Sequence, residues 1–206
     1  MEAFTTWSGI AVPFDETNVD TNQLCPTRFN KVPWGPRFAK ILLHDRRFNA
    51  DDSEKPDYIL NQEPYRRAVI AVAGRNFGVG SSRETAVLGL MGFGIRSVIA
   101  PNFGDIFYNN SLKNGVLPVR LPTAIVDLLL RQLLAQRGAQ MRVDLPSQTV
   151  TGPDGATHPF DIAPLSKKRL LLGLDEIAHT QEYGGEIKRF EERQAKDYPW
   201  LGAAPT

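Results

Sequence analysis

Ser81, Ser82 and Arg83 stand side by side behind a glycine-rich turn, Asn76-Phe77-Gly78-Val79-Gly80. Two hydroxyls and a guanidinium on consecutive residues suit the handling of a small anion. The guanidinium can grip a carboxylate through two parallel N–H bonds, and a hydroxyl can donate to, or accept a proton from, the molecule so held. Gly78 and Gly80 can take positive φ and let a ligand approach where a Cβ would block it. A second reading of the same residues is structural. Ser81 and Glu84 have the spacing of a capping box, in which the serine caps a helix and the glutamate reaches back to the serine N–H. Both readings stand on the sequence. The glycines at 74, 78 and 80 miss the dinucleotide-binding spacing, no lysine follows Gly80 as a phosphate-binding loop requires, and no Gly-x-Ser-x-Gly elbow is present.

The elements around the turn must hold it in place. Ala68 to Ala73 is short, apolar and uninterrupted by charge, which predicts a buried strand. Ala86 to Met91 predicts a buried helix stopped by Gly92-Phe93-Gly94. A strand, a glycine turn and a helix start together direct backbone N–H groups toward an anion. Ser97–Ala100 and Leu117–Leu121 predict two more strands, Gly104–Lys113 a helix between them, with Asn102 and Asp105 as its caps. Pro122 to Arg137 predicts a longer helix with an apolar face and Gly138 at its end. This alternation argues an α/β core. Before it, Trp7–Pro13 reads as a first strand, Phe14 to Pro36 as a long loop, Phe38–Leu43 as a short helix and Tyr58–Asn61 as an extended piece. After it, Met141 to Ile162 alternates like a three-stranded meander forming a second small layer, and helices follow from residue 164.

The chain has 206 residues, enough for one well-buried core, and no composition shift or repeat divides it. We expect one domain over 1–206, with 164–206 a peripheral helical tail. The formal charge is +1 with basic residues dispersed, which argues against nucleic-acid and membrane partners. No run approaches a membrane span, the N-terminus lacks a signal-peptide pattern, and cytoplasm is the expected location. Cys25 is the one cysteine, so no internal disulfide forms and this chain cannot supply the thiolates of an iron–sulfur cluster. Beside Pro26, it reads as a small packed residue rather than a nucleophile. His44, His158 and His179 are not spaced as metal ligands.

The run Asn76 to Ala86, NFGVGSSRETA, resembles the NFGxGSSREHA signature of the small-subunit family of 3-isopropylmalate dehydratase, the swivelling domain of the aconitase superfamily. Asn18-Val19-Asp20-Thr21, the Asn102–Ser111 run with Asn114–Pro118, and Gly173-Leu174-Asp175-Glu176-Ile177 are similar to further motifs of that family, in its order. The resemblance implies a three-layer β/β/α fold with a C-terminal helical extension. It also implies a hydro-lyase that moves a hydroxyl between adjacent carbons of a 2-substituted malate through an alkene, active only with a large subunit holding a [4Fe–4S] cluster. By motif position Ser81 is then the base, Arg83 binds a substrate carboxylate, Ser82 assists as a donor, and Asp20 and Thr21 lie at the substrate face. For Asp20 and Thr21 the rival reading is an Asx-type turn. Arg28 and Lys31 read as solvated loop charges or as dicarboxylate contacts. The sequence departs from the family pattern at Asn22 for aspartate, Val79 for a small residue, Thr85 for histidine and Asn30 for leucine. Asn30 would put an amide against an apolar substituent, which favours a smaller or more polar substrate. Related dicarboxylate hydratases of citraconate or dimethylmaleate type, and a non-catalytic anion-binding module, are the alternative functions.

Overall fold

β1 (Thr6–Phe14) is the strand that joins two differently built halves of one sheet in this computed structural model, which describes residues 1–35, 37–80 and 83–201. Its second half, Ala11–Phe14, pairs in parallel with β2 (Ile70–Ala73). Beyond β2 follow β3 (Ser97–Ala100) and β4 (Leu117–Arg120), both parallel. Its first half, Thr6–Ile10, pairs antiparallel with β5 (Gln140–Asp144), which leads to β6 (Thr149–Thr151) and β7 (Thr157–Pro159). The order is β4-β3-β2-β1-β5-β6-β7. The meander forms as expected, and its hydrogen bonds to β1 make it continuous with the parallel strands.

The helices are α1 (Thr21–Leu24), α2 (Phe38–Ile41), α3 (His44–Arg47), α4 (Glu84–Phe93), α5 (Asp105–Asn114), α6 (Thr123–Ala135), α7 (Pro164–Leu172), α8 (Glu176–Gln181) and α9 (Gly184–Asp197). α4 and α5 are the crossovers that parallel neighbours require. Successive residues of a strand face opposite sides, and β2 shows what each side receives. Ala71 and Ala73, with Val98 and Ala100 of β3, share a core with Ala86, Val87 and Leu90 of α4 and Phe107 of α5. The small alanines let these helices lie close to the sheet. Ile70 and Val72 share the opposite core with Val126, Leu129, Leu130 and Leu133 of α6, and also with Met141, Val143 and Val150 of the meander. The sheet therefore curls, so that its antiparallel half and α6 cover the back of its parallel half. This is the expected β/β/α arrangement. Burial of each such Val or Leu contributes about 1.5–3 kcal/mol.

Several local expectations are corrected. The stretch read as a loop over 14–36 contains α1 and a 3-10 turn at Thr27–Phe29. α1 forms because Asp20 accepts from the Gln23 N–H at 2.8 Å while the Gln23 side chain accepts from the Asp20 N–H at 3.3 Å. Ile59–Asn61 is a 3-10 turn, not an extended piece, held where Asn61 meets the buried Arg47. The Arg47 guanidinium also donates to the carbonyls of Ala39 and Leu42 at 2.6 and 3.2 Å, tying α2, α3 and this turn together. Burial pushes its pKa down to about 10, so it stays charged at neutral pH. α6 stops at Ala135 with Gln136 as its cap, and Gly138 instead packs against Pro64. At the C-terminus α7 sends Leu170 into the core, whereas α9 buries no described residue.

Candidate functional site

The C-terminal ends of β1, β2 and β3 feed three loops that are bonded to one another. Asn76 is their hub. Its N–H donates to Asn102 Oδ1 at 2.9 Å, its Oδ1 accepts from Asn102 Nδ2 at 2.6 Å, and its Nδ2 donates to Asn18 Oδ1 at 2.8 Å. The backbone repeats the stitching. Asn18 N–H reaches Arg75 O at 2.8 Å, Gly78 N–H reaches Val19 O at 2.7 Å, Thr21 N–H reaches Val79 O at 3.0 Å and Phe77 N–H reaches Asn102 O at 3.2 Å. In open α/β sheets this carboxyl edge is where ligands bind.

The glycine turn does not work as its sequence suggests. The N–H groups of Phe77 and Gly78 are spent on neighbouring loops rather than aimed at an anion. A Cβ on Gly78 would stand 2.2 Å from Phe107 Cγ, so this glycine admits a core phenylalanine and not a ligand. Gly80 differs. Its φ is +90°, and the nearest described atoms to a Cβ there are 3.8 Å away at Asp20 Cβ and 3.9 Å away at Thr21 Oγ1. Gly80 is the position where close approach remains open. Asp20 and Thr21 lie beside the turn, with Asp20 engaged as the α1 cap and Thr21 buried.

Ser81 and Ser82 lie outside the described residues. Arg83 follows them as the N-cap of α4, with extended backbone at φ −111° and ψ 146°. Its Nη1 donates to Thr27 Oγ1 at 2.9 Å and lies 3.5 Å from Asn22 Oδ1. Among the described residues no carboxylate pairs with it, while Arg28 pairs with Asp45, Arg46 with Glu16 and Arg66 with Glu54. A half-buried guanidinium held by neutral oxygens keeps its charge available to an anion. The capping-box reading fails on register. Glu84 is the first residue of α4, not its third, and its carboxylate accepts from Asn114 Nδ2 at 2.9 Å.

Two residues after Arg83, Thr85 Oγ1 donates to Asn30 Oδ1 at 3.1 Å. Both side chains depart from the family pattern, and here they are partners. Cys25 packs beside them and is 2% exposed. Burial pushes its thiol up, against smaller opposing pulls from the Thr85 hydroxyl and the charges of Arg83 and Arg28. Cys25 is a packed residue, not a nucleophile. Asn102 and Asp105 do not cap α5, whose N-cap is Gly104 without a side-chain bond. Thr27 holds Arg83 and the Asn76–Asn102 pair binds the loops together; the surplus of asparagine in these loops is the one sequence signal for that pair.

Elsewhere, Arg28 is tied to Asp45, and His44 Nε2 stands 3.2 Å from Asp52. Phe29, Val32, Ile41 and Phe48 line a hollow of about 460 Å³ at that side, to which the glycine turn contributes no residue. Among the described residues no group of three or more His, Cys, Asp or Glu could hold a metal. With a lone, buried cysteine, these residues do not fit an iron–sulfur cluster. No described helix is long and apolar enough to cross a membrane.

The model of the aconitase C-terminal domain matches residues 1–124, and a second, described as LeuD_N, matches residues 127–164. The 3-isopropylmalate dehydratase small subunit of Paracoccus denitrificans is 45% identical over 201 residues, covering 98% of this chain and all of that one. This chain belongs to that small-subunit family. The small subunit from Jannaschia sp. is 48% identical over 203 residues, covering 98% of this chain and 100% of the relative. The crystal structure of 3-isopropylmalate dehydratase from Methanocaldococcus jannaschii superposes with a TM-score of 0.62 at 22% identity, over 92% of this chain and 99% of that one. At that identity the likeness speaks for the fold. The small-subunit family thus covers the glycine turn, Arg83 and the meander together.

Proposed function

We propose that this chain is the small subunit of a hydro-lyase that interconverts 2-isopropylmalate and 3-isopropylmalate in leucine biosynthesis. It works in the cytoplasm with a large subunit that carries the [4Fe–4S] cluster. The observation that carries the reading is Arg83. It stands at the carboxyl edge of the sheet, beside the open Gly80, positioned by neutral partners and matched to no described carboxylate. A dicarboxylate is the ligand such a guanidinium suits.

In the reaction one carbon loses a proton and its neighbour loses hydroxide, leaving an alkene and water. Return of both with their positions exchanged gives the isomer. Arg83 fixes a substrate carboxylate, Ser81 takes and returns the carbon-bound proton, and Ser82 donates a hydrogen bond. Asp20 and Thr21 border the substrate, while the amide oxygen of Asn30 is taken by Thr85. A serine needs electrostatic help to act as a base, and the positive end of α4 together with Arg83 supplies it.

The test is reconstitution with a large subunit. The chain alone should show no dehydratase activity, and the complex should isomerise 2-isopropylmalate. Arg83→Lys should raise KM about tenfold or more, because a point charge replaces a two-pronged clamp. Ser81→Ala should lower kcat by several orders of magnitude and leave the melting temperature unchanged. Turnover by the isolated chain would overturn the two-subunit assignment, and a Ser81→Ala variant with full kcat would remove the base.

A further inference from the structure

We infer that Thr85 and Asn30 are a positioning pair that sets Arg83 for its ligand, an inference that rests on the function proposed above. Arg83 does not hold its own place. Its partner Thr27 opens a 3-10 turn that closes where the Asn30 N–H meets Thr27 O at 3.1 Å. That turn is only three residues long and buries none of them, so a turn so short has little packing of its own. The Thr85–Asn30 bond is the second tie from α4 to the same turn, at its opposite end. Thr27 and Asn30 thus clamp the turn at both ends, one to Arg83 and one to Thr85. Two bonds, one from the N-cap of α4 and one from its second residue, define an orientation that a single bond would leave free to pivot.

The pair is half-buried beside Cys25, so water replaces it poorly. If Thr85 loses its hydroxyl, Asn30 is left with an amide oxygen away from water, and the turn relieves this by swinging outward. Thr27 moves with it, and the guanidinium loses the neighbour that aims it. Neither Thr85 nor Asn30 needs to touch the reacting atoms for this effect. Replacing both partners with apolar groups of like shape leaves no unpaired polar atom, so the double change should be milder than either single one.

The experiment uses Thr85→Val, Thr85→Ser, Asn30→Leu and the Val/Leu double variant, each in the reconstituted complex. Thr85→Val should raise KM for 2-isopropylmalate about five- to twentyfold with kcat within twofold. Thr85→Ser should restore the wild-type KM, and the double variant should lie nearer wild type than the product of the two singles. The same variants of the full chain alone are followed by amide hydrogen exchange. The Asn30 amide should exchange at least tenfold faster in Thr85→Val and at the wild-type rate in Thr85→Ser. An unchanged KM and exchange rate in Thr85→Val, or strict multiplicativity of the two single effects, would overturn the pair. Absence of turnover in the wild-type complex would instead overturn the proposed function, while the exchange measurement would still judge the pair.

Discussion

Asn76 and Asn102 exchange a reciprocal pair of hydrogen bonds, 2.9 and 2.6 Å long, across 26 residues of sequence. Through this pair the loop after β2 is locked to the loop after β3, and Asn76 Nδ2 extends the lock to Asn18 after β1. Three loops that would otherwise move separately present one face. Asn76 also sits at φ +57°, a left-handed conformation that asparagine tolerates better than most residues.

Asn102→Ala should therefore cost about 1 kcal/mol, since the bonds it removes are partly open to water. Asn76→Ala should cost about 1–2 kcal/mol more, because alanine adds left-handed strain and the Asn18 bond is lost as well. Urea denaturation of the two variants gives both numbers. Equal midpoints would mean that the strained conformation at Asn76 relaxes at no expense.

The two glycines of the turn should answer differently to alanine. Gly80→Ala meets no described atom closer than 3.8 Å and faces the backbone term, about 1–2 kcal/mol. Gly78→Ala meets the same term at φ +72° and also drives a methyl into Phe107, a further 1–3 kcal/mol or more from overpacking. Thermal unfolding should rank Gly78→Ala well below Gly80→Ala. The reverse order would show that Phe107 can move aside.

Asp144 offers a pH test of the junction between the two halves of the sheet. Its carboxylate accepts from the Ser147 N–H and hydroxyl at 2.9 and 2.7 Å, from Arg142 at 2.9 Å and from Thr6 at 3.0 Å. The Ser147 bonds, then Arg142, hold it far below the usual carboxylate range. A depressed folded-state pKa contributes stability that is present above the unfolded value of about 3.9 and lost as pH falls below it. Asp144→Asn should thus destabilise the chain at pH 7, and its deficit against wild type should shrink from about pH 4 downward. A deficit independent of pH would show that charge at Asp144 plays no part.

Much of the scaffold was legible in sequence because its causes are local. β2 and β3 are short apolar runs buried on both faces, α6 carries a helical apolar period, and glycines stop α4 and α5 at Gly94 and Gly115. The motif order named the family for the same reason, since motifs are strings. α1 was missed although its signal, Asp20 and Gln23 three residues apart, is local too, because a four-residue helix has no apolar period to detect. Folding alone brings about the meetings of residues far apart along the chain. Phe107 determines why position 78 is glycine, Thr27 determines how Arg83 stands, and Asn30 and Thr85 satisfy one another across 55 residues. A single sequence carries side-chain types and spacings. It does not say which polar groups will be brought together away from water, and that pairing decides whether an asparagine faces a ligand or a threonine.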